Sequence, residues 1–327
     1  MELVNDLLRG AFPVLALHIP DNFLSLGISL VCWVVMAVFL TLALRNTQQT
    51  LGERQVPLMG VMAAFIFAAQ MINFPVAGGT SGHLLGGALA AIVLGPWPAM
   101  LVMTAVVGVQ ALLFQDGGLV VMGANILNMG ILTALVGYAV YRVFAGRGRV
   151  AQLAGAGIGA WLSVMTAALA TSLQLWLSGI VSLDVVIPAM LGVHALIGLG
   201  EALITVAALG FIQQARPDLL QSGAQRGAGG LVAVGLGIAA IVAILSPLAS
   251  ADPDGLEKVA EQLGFLDRAA DAPYQVIPDY TLPFLGETPI STIGAGLVGI
   301  MVVAGLSLLI ARLLRRSAAS RAASDNA

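Results

Sequence analysis

The sequence predicts an all-α polytopic membrane protein with about nine apolar helices, one of them short or re-entrant. Three observations carry this: 59% of the 327 residues are hydrophobic, only 9% are charged, and the apolar residues gather into long uninterrupted runs. Soluble domains carry roughly 25% charged residues, so this chain lacks the polar surface that water requires. Its single cysteine, Cys32, excludes a disulfide framework and a thiolate metal cluster, and its place in an apolar run reads as packing. No phosphate-cradling pattern ending in Gly-Lys-Ser/Thr occurs, so any coupling to ATP must come from another polypeptide. No Gly-x-Ser-x-Gly elbow occurs either, which counts against an intramembrane hydrolase, and no catalytic residues are expected. Membrane lipid is an expected partner, nucleic acid is not, and no permanent cofactor is expected.

Taken in order, residues 1–16 are too short to span and match a secretory signal poorly. Apolar runs follow at about 23–44, 57–73, 84–95, 97–114, 119–144, 151–178, 187–213, 229–249 and 291–312. The third is about a dozen residues, short of the ~20 needed to span. It is either a tilted half-length span or a re-entrant helix, broken at Gly95-Pro96-Trp97-Pro98, where two prolines remove backbone donors. This organisation divides the chain into an extension (1–16), a membrane domain (17–213), a cytoplasmic linker (214–228), a second membrane module (229–312) and a disordered tail (313–327).

Within that module, residues 251–290 carry eight acids against two cations, Lys258 and Arg268, a net charge of −6. This loop either gathers cations by attraction, over a reach limited by screening to ~10 Å, or is a solvated spacer. Asp254 to Leu266 reads as a short amphipathic helix with Leu256, Val259, Ala260, Leu263 and Leu266 on one face. The surrounding Pro273, Pro278, Pro283 and Pro289 make the rest of the loop extended.

Orientation follows from the basic residues. With the His18 end outside, Arg45, Arg54, Arg142, Arg147, Arg149, Arg216, Arg226, Arg312, Arg315, Arg316 and Arg321 all fall inside, eleven of fourteen cations. The C-terminus is then inside, and His18, Asp21, the 73–83 loop, Asp116 and Asp184 face out.

Two of the three histidines, His18 and His83, each stand where an apolar segment begins, His83 within the glycine-rich stretch Asn73 to Gly87. Imidazole is a common ligand for nickel, cobalt, copper and zinc, and glycine lets backbone approach a small ion. Singly each is more often structural; together on one side of the membrane they read as two halves of one metal site. Asp21 offers an N-cap for the first span, and Thr80-Ser81-Gly82 can cap a helix starting near His83. Asn73, Ser81, Asn125 and Asn128 are candidate supporting or path residues. His194 and Glu201, seven apart on one helix face, are ionisable groups within a span; they relay a proton, line an ion path or hydrogen-bond neighbouring helices. Ala64 to Ala68 is a small-xxx-small pattern.

Together, His18-Ile19-Pro20-Asp21, Phe74 to Gly87, Leu94-Gly95-Pro96-Trp97, Gln110 to Gly118, Gly123 to Met129 and Gly192 to Glu201 resemble the CbiM/NikM family over about residues 17–213. These are the substrate-capture components of cobalt and nickel energy-coupling factor transporters. Pro253-Asp254-Gly255-Leu256-Glu257, between its flanking spans, resembles the PDGLE module, a small accessory subunit fused here to the permease. The resemblance implies transport of Ni²⁺ or Co²⁺ together with a transmembrane coupling subunit and cytosolic ATPases, with Ala64 to Ala68 a docking face. It also implies a nearly planar nitrogen set: a free amino terminus, the backbone nitrogen and imidazole of a second-position histidine, mapping to His18, and a later imidazole, mapping to His83. Such a set favours Ni(II) or Cu(II), and with the fused PDGLE module it favours nickel. The sequence departs in placing His18 after sixteen residues and Leu17, so the expectation is a mature chain starting at residue 17, as Met, or processed after Ala16. A stand-alone carrier or channel using His194 and Glu201 is the alternative.

Overall fold

The computed structural model describes residues 18–53, 55–215, 228–270 and 272–325. The expected extension, Leu17 and most of the expected linker lie outside these residues. Its elements are α1 (Leu26–Thr50), α2 (Gln55–Gln70), the hairpin β1 (Phe74–Val76) and β2 (Thr80–Gly82), α3 (Gly87–Leu94), α4 (Pro96–Phe114), α5 (Met122–Phe144), α6 (Arg149–Leu177), α7 (Leu183–Ala215), α8 (Ala228–Leu245), α9 (Gly255–Leu263) and α10 (Pro289–Asp325). Six of them, α1, α4, α5, α6, α7 and α10, are long and apolar enough to cross a membrane. The nine apolar runs thus yield six spanning-length helices, while α2 and α8 are shorter and α3 has only 8 residues. The break between α3 and α4 falls at Gly95, followed by the helix-starting Pro96.

Several local expectations change. Asp21 does not cap α1; that helix starts later, with the Ser25 side chain accepting from Ile28 N–H, while Asn22 stands at φ 70 outside the helix. Thr80-Ser81-Gly82 is no helix cap either, because it forms β2, antiparallel to β1 with Val76 opposite Thr80. The helix after it begins at Gly87, four residues beyond His83, with Gly86 as its cap, so His83 does not sit at a helix dipole. The expected disordered tail continues α10 to Asp325, as its alanines and arginines favour helix. Ala64 and Ala68, expected to dock a separate subunit, are fully buried within this chain. Small residues here admit the helices of the C-terminal module instead: Gly299 of α10 lies so near Phe67 that a Cβ would overlap the ring, and a Cβ at Gly60 would strike Leu308.

The acidic 251–290 segment packs in part against the rest of the chain, while its stretch near Phe284 is exposed. Gly255–Leu263 forms the expected amphipathic helix, with Leu256, Val259 and Ala260 buried in one cluster with Phe23, Leu24 and Val121, and with Leu263 and Leu266 against it. Backbone bonds tie the segment to the loops and the α4 end of the first membrane domain: Ala270 N–H donates to Asp21 O, Ser81 N–H to Pro253 O and Ile277 N–H to Leu113 O. All these loops therefore gather at one end of the bundle. At the other end Arg315 pairs with Glu53.

Candidate metal centre

The short α3 leaves room for residues 83–86 to enter the bundle as irregular backbone. Such backbone is stable away from water only when the protein supplies its hydrogen-bond partners. Glu201 of α7, fully buried, accepts from Leu85 N–H at 2.6 Å and Gly86 N–H at 2.9 Å, and Gln70 donates to Leu85 O at 2.9 Å. His83 Nδ1 donates to Leu84 O at 3.0 Å, which places its ring proton there and the lone pair on Nε2.

On the facing side, Asn125 clamps the residue after His18 in both directions: Ile19 N–H donates to its Oδ1 and its Nδ2 donates to Ile19 O, both at 3.0 Å. Asp21 accepts from Leu119, Val120 and Val121 N–H, the groups just before α5, and so fixes the 115–121 loop against residues 18–21. That loop carries Asp116, buried, whose Oδ1 accepts from His18 Nδ1 at 2.6 Å. Burial alone raises a carboxyl, but here the His18 charge and hydrogen bond, aided by Tyr280, hold Asp116 below the ordinary carboxylate range. The proton of His18 is thereby fixed on Nδ1, and its buried Nε2 has no hydrogen-bond partner among the described residues.

The two rings converge, with centroids 5.9 Å apart and planes tilted 39°. Both line one cavity of about 70 Å³, room for an ion with a few waters, together with Asn125, Asn128, His194 and Asp254. A larger cavity of about 340 Å³ shares His18 and Leu256 with it and extends to Glu257 and Asp279. Asn128 is occupied in the wall, donating to Thr171 and Gln174 and accepting from Gln174. His194 donates from Nδ1 to Met190 O at 2.7 Å within its own helix. Asp21, Asn73, Ser81 and Glu201 do not line the cavity, and the described residues contain no cluster of three or more His, Cys, Asp or Glu spaced to hold a metal. His194 and Glu201 are each bonded elsewhere, His194 to Met190 O and Glu201 to Leu85 and Gly86 N–H.

Residues 18–219 match the family described as the cobalt uptake substrate-specific transmembrane region, CbiM, and residues 229–316 match the PDGLE domain. The chain belongs to the CbiM family. It is similar to the putative fused nickel transport protein NikMN of Archaeoglobus fulgidus, 37% identical over 91% of this chain and 99% of that one. It is also similar to the fused nickel transport protein NikMN of Rhodobacter capsulatus, 28% identical over 89% of this chain and 96% of the relative. A crystal structure of a transition metal transporter covers 61% of this chain and 93% of its own, at 34% identity and TM-score 0.56. The protein is therefore a multi-pass membrane protein of the nickel/cobalt transport type, with a CbiM region followed by a PDGLE domain.

Each residue of the PDGLE signature docks onto the CbiM region or builds the docking helix. Pro253 O accepts from Ser81 N–H at 2.8 Å, and Asp252 O accepts from the Ser81 hydroxyl at 2.7 Å. Asp254 caps α9 by accepting from Glu257 N–H at 2.7 Å, while the Glu257 side chain returns to Asp254 N–H. Gly255 lets α9 approach α7 closely: a Cβ there would press on the side chains of Ile197, His194 and Val193. Leu256 borders both cavities. Ser81, expected near the metal, is thus a docking residue for the domain.

Burial pushes the Asp254 carboxyl up, and burial followed by the Asp254 charge lifts Glu257 to about 7, with Glu261 adding to it. A carboxyl raised in the folded state favours its protonated form there, so its contribution is complete below about 4.5 and is lost as pH rises through about 7. At ~1.4 kcal/mol per pH unit, the swing reaches at most roughly 3 kcal/mol. Thermal melting should fall between pH 5 and pH 8, and Glu257→Gln, which keeps the capping box, should flatten that fall. An unchanged pH dependence in the variant contradicts the assignment.

Proposed function

We propose that the protein is the substrate-capture component of an energy-coupling factor transporter, taking up Ni²⁺ through His18 and His83. The observation that carries the reading is the convergence of those two buried imidazoles on one small cavity. His18 is supported like a metal ligand, with a carboxylate holding the nitrogen that does not face the ion. The loops around it share one end of the bundle, read as the outer face, with the C-terminus inside, in keeping with the distribution of arginines. ATP-driven reorientation by a coupling subunit and cytosolic ATPases follows from the family resemblance and from the chain's own lack of a nucleotide-binding loop. Nickel is favoured over cobalt because three relatives named for nickel align along 91%, 89% and 71% of this chain. The CbiM cobalt transport protein of Sorangium cellulosum aligns along 62%.

A chelate joining the His18 amide to its own ring closes through Nδ1, and Nδ1 here faces Asp116. In the full chain Nε2 is the nitrogen left for the ion; with residue 17 as a free amino terminus a second binding mode opens, in which the ring turns from Asp116 and the amine, the amide and Nδ1 close the chelate. Nickel titration of the purified full chain and of a chain starting at residue 17 tests this. The shorter chain should bind more tightly and show the absorption of planar nickel; equal affinity and spectra in both remove the amine from the ligand set.

A further inference from the structure

We infer that Tyr280 of the PDGLE domain is a positioning residue for the His18 imidazole, acting through Asp116. The inference rests on His18 being a ligand for the transported ion. The two Asp116 oxygens divide their work: Oδ1 accepts from His18 Nδ1 and Oδ2 accepts from the Tyr280 hydroxyl, both at 2.6 Å. Gln110 then donates to that hydroxyl at 3.2 Å, so donors from α4 on one side and from His18 on the other converge on the one carboxylate. A carboxylate held at both oxygens cannot swivel, and its orientation fixes the ring plane and tautomer of the histidine it grips.

Two further features hold Tyr280 in place. Its ring stacks on Phe114, with centroids 4.7 Å apart and planes 19° apart, and lies 6.0 Å from Phe67. Its backbone and that of Asp279 are left-handed, φ 54 and 49, a conformation non-glycine residues adopt at a cost and keep only where surrounding contacts impose it. The hydroxyl remains a proton donor, since burial and then the Asp116 charge hold it well above the ordinary tyrosine range. The PDGLE domain, through a tyrosine 164 residues along the chain from Asp116, thus reaches the support of a cargo ligand and does more than cover it.

The test uses the purified full chain, with Ni²⁺ titration for affinity and bound Cu²⁺ as a visible-absorption probe of ligand geometry. Tyr280→Phe, which keeps the ring, should weaken nickel binding by about ten-fold and move the copper band. Asp116→Asn should weaken binding at least as much, and the double variant should be no worse than Asp116→Asn alone, since both act through one chain. Tyr274→Phe removes another hydroxyl of the same segment, which donates to Leu112 O at 2.9 Å, and should change neither reading. The inference is overturned if Tyr280→Phe retains affinity and spectrum, if the two penalties add, or if Tyr274→Phe has the same effect. Nickel affinity surviving His18→Ala overturns the metal site itself, whereas loss in His18→Ala with an unaffected Tyr280→Phe overturns only the positioning role.

Discussion

Replacing His83 with alanine should abolish measurable nickel binding, and replacing His18 should do the same. These two imidazoles are the side-chain donors proposed for the ion, so each deletion removes half of that set. The loss should exceed the ~10–100-fold that follows when a merely supporting group is removed. His83→Ala also costs folding: it gives up, among its contacts, the hydrogen bond to Leu84 O, worth about 1 kcal/mol, and leaves a small cavity where the buried ring stood. Isothermal titration beside thermal melting separates the two effects. Wild-type affinity in either variant contradicts the site, and a collapse in melting without metal assigns that histidine to structure.

Glu201→Gln should be nearly as damaging, for a different reason. Glu201 meets two backbone N–H groups with two oxygens. Glutamine offers one oxygen and turns an NH₂ toward the other N–H, leaving two donors opposed in a buried place. Losing a hydrogen bond to such a group and stranding its partner costs about 2–4 kcal/mol. Because Leu85 and Gly86 closely follow His83, the released loop should carry the imidazole out of register. The expected result is a clearly lower melting temperature and at least a roughly ten-fold weaker nickel affinity, with metal restoring part of the melting loss. A variant with wild-type melting and affinity shows that the loop is held by other means.

The helices were legible because membrane spans announce themselves by length and apolarity alone. So was Gly255–Leu263, whose apolar residues recur with helical spacing. Pairing His18 with His83 was legible from chemical scarcity, there being three histidines in the chain. The hairpin was not, because Thr80-Ser81-Gly82 carries the same local signals whether it caps a helix or pairs as a strand. What decides it is distant: Ser81 bonds to Asp252 and Pro253. Asp21 was misassigned for the same reason, its three donors lying about a hundred positions away. Asp116 was placed on the outer face with no bonding role, and Tyr280 lay in a stretch read only for its charge and its prolines. No periodicity marks a tyrosine that meets one carboxylate across the fold.

Carrying the Ser81 clasp on the same polypeptide changes its kinetics. A detached accessory subunit would have to find the permease by diffusion, and occupancy would vary with expression. Tethered, the clasp closes at an effective concentration on the order of millimolar, whatever the copy number. Any opening of the clasp is then a first-order event, with a lifetime that does not depend on protein concentration.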